Sequence, residues 1–193
     1  LGHGVSFCAV CDGAFFRDKD VVVIGGGNSA LEESIYLAGL ARSVTIVIRR
    51  DVFRAEEHIQ SQIEENEKIH VIKKHVPVQI LSSEGKVSGI ELENVDTHET
   101  QIVECSGIFP YVGQDPNTDC VQDLGVLNER GYVLVDANCQ TKIPGIYAAG
   151  DVIDKELRQV VTACKDGAIA AQHAFHTIKG ILNDQMITSG YNM

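Results

Sequence analysis

Two cysteines separated by two residues, in Cys8-Ala9-Val10-Cys11-Asp12-Gly13, carry the most reactive chemistry in the chain. Such a pair can close a small disulfide, and one thiolate can attack a partner's disulfide while the other resolves it. Asp12, beside the second sulfur, is placed to give or take a proton during that exchange. Half of a zinc site, or two inert thiols, would show the same spacing. A structural zinc site needs a second Cys or His pair at similar spacing, and none follows, so no metal is expected. Cys105, Cys120, Cys139 and Cys164 read as core or surface thiols.

A glycine cluster comes next. Gly25-Gly26-Gly27-Asn28-Ser29-Ala30 fits G-x-G-x-x-A, with Ala30 in place of the third glycine. Glycines there let backbone N–H groups approach a pyrophosphate, and a helix N-terminus adds partial positive charge. A plain glycine-rich turn spells the same letters, but this one follows a strand pattern and opens a helix pattern, which favours a dinucleotide. A unit selective for NAD ends its second strand in Asp or Glu, which binds the ribose 2′-hydroxyl. This chain has Arg49-Arg50 there, then Arg54. Three guanidiniums suit a 2′-phosphate, so NADP is favoured over a merely solvated basic strand end.

NADPH delivers two electrons and a disulfide consumes two. Hydride transfer ends on carbon or nitrogen, so a flavin is expected between them. Gly145-Ile-Tyr-Ala-Ala-Gly150-Asp151 offers part of a flavin site, since an Asp after a strand-end glycine can bind a ribityl or ribose hydroxyl. A strand ending in a plain Gly-Asp turn is the alternative.

These residues need elements to hold them. Asp20 to Gly25 is a β-branched run without alternation, a strand buried on both faces. A helix with Ala30, Leu31, Ile35 and Leu37-Ala38 on one face follows, and Val44 to Ile48 is the second strand, parallel to the first. Residues 55–68 form a surface helix with a narrow stripe of Ile59 and Ile63. Residues 71–80, 87–95 and 101–112 read as an antiparallel meander with polar turns. Residues 113–117 form a linker. Beyond it come strand patterns at 132–136 and 144–151, then a long helix over 158–182 interrupted near Gly167.

The whole chain has 193 residues, 16 Lys and Arg against 27 Asp and Glu, and a formal charge of −11, which argues against nucleic acid or an anionic membrane as partner. It is 44% hydrophobic and 22% charged, as a globular protein is. No apolar run approaches the roughly 18 residues of a membrane span, and the start lacks the basic and apolar regions of a signal peptide. A soluble, cytoplasmic protein of a reducing compartment is expected. Methionine stands only at 186 and 193, so the chain reads as a processed product or a fragment.

Together the motifs resemble the low-molecular-weight thioredoxin reductases, FAD- and NADPH-dependent pyridine nucleotide-disulfide oxidoreductases. The matching segments run in family order: CAVCDG at 8–13, VVVIGGGNSALEE at 21–33, RRDVFRAEE at 49–57, VGQDPNT at 112–118, PGIYAAGD at 144–151 and RQVVTACKDGAIAA at 158–171. The resemblance implies an α/β fold. A Rossmann-like NADP-binding domain, with a parallel sheet, helices and an antiparallel β-meander, would occupy residues 1–116. The C-terminal part of an FAD-binding domain would occupy 117–193.

It also implies that Cys8 and Cys11 form the redox-active disulfide, with Cys11 nearer the flavin, Cys8 attacking thioredoxin's disulfide and Asp12 as proton donor. Gly25, Gly26, Gly27, Asn28 and Ser29 would cradle NADPH, and Arg49, Arg50 and Arg54 would hold its 2′-phosphate. Gly150, Asp151, Arg158, Gln159 and Val160 would contact FAD. The expected partners are thioredoxin or a thioredoxin-like protein, and a second copy in a homodimer when the protein is intact.

The chain departs from the family in one large respect. Family members open with an FAD-binding βαβ unit bearing its own glycine fingerprint, and only the NADP-type fingerprint is found here. Two small departures are Ile48, where the family often has His, and Val10 in place of a common Thr. Two other readings stand beside the reductase. One is an NADH-dependent flavoprotein reductase of a peroxiredoxin, which the arginines oppose; the other is a non-catalytic NADPH-binding fragment.

Overall fold

The computed structural model describes the backbone of residues 2–189 and the side-chain surroundings of residues 2–180. It divides into two compact units, Leu1–Gly113 and Gln114–Met193.

The first unit is built on a four-stranded parallel sheet in the order β3-β2-β1-β7. Its strands are β1 (Asp20–Ile24), β2 (Ser43–Ile48), β3 (Ile69–Lys73) and β7 (Gly107–Pro110). β1 lies between β2 and β7, with Val22 opposite Thr45 and Ile108. Val21, Val23, Val44, Ile46 and Phe109 pack on one face against α2 (Asn28–Ala38) and α3 (Glu57–Glu64) through Leu31, Leu37, Ile59 and Ile63. Val22, Ile24, Val47 and Ile108 pack on the other face against Ile90 and Leu92. Burial on both faces is why β1 carries a β-branched run without alternation. Ile90 and Leu92 lie on β5 (Lys86–Asn94), the middle of an antiparallel sheet with β4 (His75–Ser83) and β6 (Thr100–Glu104).

The strand–turn–helix–strand unit is as the sequence predicts and α3 forms with Ile59 and Ile63 buried, though over Glu57–Glu64 rather than the expected 55–68, and two expected strands each divide. Residues 71–80 split at Lys74, whose φ of +58° turns the chain out of the parallel sheet into the antiparallel one. Residues 101–112 split at Cys105-Ser106, where the Ser106 N–H bonds to the Asp20 carbonyl (2.8 Å) and β7 leaves the meander to join β1.

The second unit holds short 3-10 turns at Asp119–Leu124 and Gly150–Val152 and the helix α4 (Val160–Ser189). The strands expected at 132–136 and 144–151 are only isolated bridges, Leu127 and Ile153 to Val133 and Gln140 to Tyr147, because the chain turns again before a ladder can extend. Nor is the helix interrupted at Gly167. A side-chain carbon there would meet nothing within 4 Å, so the glycine costs the helix about 1 kcal/mol of propensity without breaking it. The expected end at residue 182 falls seven residues short of the helix.

Candidate functional site

Cys8 and Cys11 are joined as a disulfide, with Cα atoms 5.2 Å apart. They bracket α1 (Ala9–Asp12), a single turn whose N-cap is Cys8; the Cys11 N–H donates to Cys8 Sγ (3.1 Å) and the Asp12 N–H to the Cys8 carbonyl (3.1 Å). Cys8 is half-buried and Cys11 exposed. The Asp12 carboxylate is held by the buried Ser6, whose hydroxyl donates to Oδ2 at 2.6 Å while accepting the Cys8 N–H at 3.2 Å. Phe7, Val10 and Phe15 stand around the turn with more than half of their surface exposed. Sequence reasoning found the cysteines and Asp12 but passed over Ser6, an ordinary serine outside any motif.

It also passed over Tyr111 and Glu33. The Tyr111 hydroxyl accepts the Ala9 N–H, the first donor of α1, at 2.9 Å. Glu33, on α2, lies against that hydroxyl and the Val10 amide. Burial pushes the Glu33 carboxyl above the usual range, and the neighbouring Glu32 adds to this. Burial also pushes the Tyr111 phenol up to about 12.

The glycine turn and the arginines meet in a cavity of about 300 Å³ lined by Gly25, Gly26, Arg49, Arg50, Arg54 and His75, among others. Gly25 has a φ of +142°, and a side-chain carbon there would lie 2.3 Å from the Tyr111 carbonyl oxygen, so only glycine fits. The Arg54 N–H donates to the Gly26 carbonyl (2.8 Å), tying the arginine loop to the glycine turn. Arg49, Arg50 and Arg54 are exposed, and none is in an ion pair among the described residues. Three unpaired guanidiniums beside glycine backbone are the donor set that a phosphate ester recruits. Ile48 is buried and packs beneath Gly26.

Gly27, Asn28 and Ser29 do not line this cavity; they are the N-cap and first two residues of α2. Asn28 is engaged within the protein, its amide donating to Glu56 Oε1 (2.9 Å) and accepting the Glu56 N–H (3.0 Å). That bond pair joins the start of α2 to the entry of α3.

In the second unit the sequence candidates gather at the start of α4. The Arg158 guanidinium lies 4.2 Å from the centre of the Tyr132 ring and donates to the Asp151 carbonyl (3.3 Å). The Gln159 N–H donates to Thr162 Oγ1 (3.1 Å). Gly150 takes a φ of +82° and abuts Ala163. Asp151 is exposed, and Val160 and Val161 are 80% and 72% exposed. Behind them, Lys155 Nζ sits 2.7 Å from Asp166, both side chains largely shielded from solvent. Lys155 holds the Asp166 carboxyl below its usual range against the opposing effect of burial.

Among the described residues no three His, Cys, Asp or Glu side chains group as a metal site, and no helix is long and apolar enough to cross a membrane.

The chain is 44% identical over 178 residues to a thioredoxin reductase of Bacillus subtilis, covering 92% of this chain and 56% of that one. A Listeria innocua thioredoxin reductase is 44% identical over 173 residues, 90% of this chain and 54% of the relative. The chain thus spans about half the length of the curated relatives it matches. The crystal structure of a Streptococcus pyogenes thioredoxin reductase superposes with a TM-score of 0.86 at 46% identity, over 92% of this chain and 58% of that one. A Giardia duodenalis thioredoxin reductase does so with 0.81 at 33% identity, over 92% and 58%. The family model for pyridine nucleotide-disulphide oxidoreductases matches residues 1–167, and the chain belongs to that family.

Proposed function

We propose that this chain is the disulfide-bearing, NADPH-binding part of a thioredoxin reductase, with residues 117–193 forming the returning part of an FAD domain. The single observation that carries the reading is the presence, in one compact unit, of a Cys8–Cys11 disulfide and a glycine-lined cavity with three unpaired arginines. Arg49, Arg50 and Arg54 would hold the 2′-phosphate and Gly25 and Gly26 the neighbouring backbone of the nucleotide, with Gly27, Asn28 and Ser29 at the helix start. Asp151 suits a ribityl hydroxyl, and the exposed Val160, which follows Arg158 and Gln159 on the helix that Gly150 abuts at Ala163, suits a flat apolar ring. When bound, NADPH and FAD supply the electron pair that reduces the disulfide.

The remaining chemistry belongs to this chain. The Cys8 thiolate attacks one sulfur of thioredoxin's disulfide, and the partner's other sulfur leaves as a thiolate. Asp12, fixed by Ser6, supplies the proton that this leaving sulfur takes up. Cys11 then attacks Cys8 in the mixed disulfide, restoring Cys8–Cys11 and leaving a dithiol on thioredoxin. Two electrons pass and no further reagent is needed. A cytoplasmic homodimer completes the reading.

Two measurements test it. Nucleotide titrations of the chain should show NADPH binding at least about tenfold tighter than NADH, with Arg50→Ala losing most of that preference; equal affinities would overturn the NADP assignment. In the full-length protein, Cys8→Ser and Cys11→Ser should each abolish reduction of thioredoxin while NADPH still bleaches the flavin band. Retained turnover in either variant would overturn the role of the disulfide.

A further inference from the structure

The residues behind the disulfide form a connected set that the exchange chemistry does not use. The Tyr111 oxygen accepts the Ala9 N–H at 2.9 Å, so its own proton is free to point elsewhere, and the group beside it is the Glu33 carboxyl. That carboxyl also lies against the Val10 amide, and its Oε2 is buried with no hydrogen-bond partner. The first two N–H groups of the turn between Cys8 and Cys11 are therefore both faced by protein oxygen. In reactive Cys-X-X-Cys turns such donors are what stabilises a thiolate at the N-cap position. Here the Ala9 N–H is taken by Tyr111 and the Val10 N–H faces the Glu33 carboxyl, which leaves the Cys11 N–H as the turn's donor on Cys8 Sγ.

Resting on the reading of Cys8–Cys11 as a redox pair, we propose that Glu33, acting through Tyr111 and the Ala9 and Val10 amides, is a positioning residue that holds the reduced Cys8–Cys11 pair toward its protonated dithiol form. The titratable groups facing this corner are Glu33 and Glu32 from α2, Tyr111 after β7, and Asp12 on the turn itself. Asp12 is bound by Ser6, lies on the turn's C-terminal side and is untouched by every variant below. Negative charge behind the turn opposes a second negative charge on sulfur.

The test is the pH dependence of iodoacetamide alkylation of the reduced chain, followed by mass spectrometry on the peptide carrying Cys8 and Cys11. Glu33→Gln keeps the shape and removes the charge. It should move the midpoint of Cys8 alkylation to lower pH and speed the reaction at pH 7 by about threefold or more, while the plateau rate at high pH stays unchanged. Tyr111→Phe, which frees the Ala9 N–H, should shift the midpoint in the same direction, and the double variant should shift it by less than the sum. Glu33→Asp should restore part of the wild-type profile. Loosened packing would instead raise the plateau, because access limits that rate, and a raised plateau with an unmoved midpoint would overturn the proposal. So would unmoved midpoints in both single variants at native melting temperature. If Glu33→Gln does not fold, Tyr111→Phe decides alone. The measurement needs neither nucleotide nor flavin, so its failure is separate from a failure of the reductase reading.

Discussion

The two units bury different things. In the first, both faces of the parallel sheet are closed by the chain itself, α2 and α3 on one side and the antiparallel sheet on the other, and Leu31, Leu37, Ile46, Ile90, Leu92 and Phe109 are fully buried. In the second, the buried apolar set among the described residues is Val126, Tyr132, Val133, Cys139, Ile153 and Ala170. Leu134, Leu157, Val160, Val161, Phe175 and Ile178 are all exposed there, each by 48% or more. Its polar contacts include turn hydrogen bonds and the shielded Lys155–Asp166 pair. A fold closed on its own core can stand alone, whereas one held by polar contacts around an open apolar face depends on what covers that face.

The sharpest way to break this contrast is to cut at the boundary between the units. Residues 1–113 alone should melt in one cooperative transition and keep their preference for NADPH. Residues 114–193 alone should show no cooperative transition and should bind an apolar fluorescent dye strongly. A sigmoidal melt from the second fragment would mean that its few buried residues suffice, and the comparison would fall.

The same contrast explains what was legible in the sequence. β1, α2 and β2 could be read because burial on both faces leaves an unbroken β-branched run, and because Gly25 occupies a place where no side-chain carbon fits. The division at Lys74 could not be read. A lysine at φ +58° carries no glycine or proline to announce the turn, and the residues on either side are equally strand-like. The second division, at Cys105-Ser106, was hidden because Ile108 and Phe109 carry the strand pattern on past Gly107. In the second unit, strand-like composition at 132–136 and 144–151 led to isolated bridges, since nothing beside Val133 or Tyr147 extends a ladder. Among site residues, motif membership revealed the cysteines, Asp12, the glycines and the arginines. Ser6, Glu33 and Tyr111 lie outside the motifs or look incidental within them, and only the tertiary fold brings them behind the disulfide.

A smaller effect sharpens the account of the second unit. Asp166 and Lys155 are nearly closed off from solvent by their immediate neighbours, with side-chain exposures of 6% and 14%, although little protein surrounds Asp166 more widely. Asp166→Asn would leave Lys155 without its close partner, and in this thin setting the cost should be about 1–2 kcal/mol, below that of a deeply buried pair. The folded carboxyl titrates below its usual 3.8, chiefly because of its bond with Lys155. Its contribution is therefore present above about pH 4 and is lost as the pH falls through the folded value. Denaturation of the whole chain between pH 5 and 2 should show this loss, and Asp166→Asn should flatten that part of the acid limb. An unchanged acid limb would mean that the pair adds nothing beyond what water offers each ion.

The smallest effect belongs to the first unit and has the opposite sign. Cys105 is buried against Val22, Ile108 and Leu92 in the core between the two sheets, and burial pushes its thiol up to about 12 despite the opposing Gly107 amide. Iodoacetamide at pH 9 should therefore leave Cys105 intact while the exposed Cys120 and Cys164 react. The folded state holds this thiol neutral and the unfolded chain releases its proton near pH 9. The contribution is thus complete below about pH 9 and declines as the pH rises toward 12, costing about 1 kcal/mol by pH 10. Cys105→Ala should lose some packing at every pH but show a flatter alkaline limb, because no proton remains to be released on unfolding. Urea midpoints of the two proteins measured at pH 7 and pH 10 separate these effects. A gap that stays constant between the two pH values would show that Cys105 acts there through its volume alone.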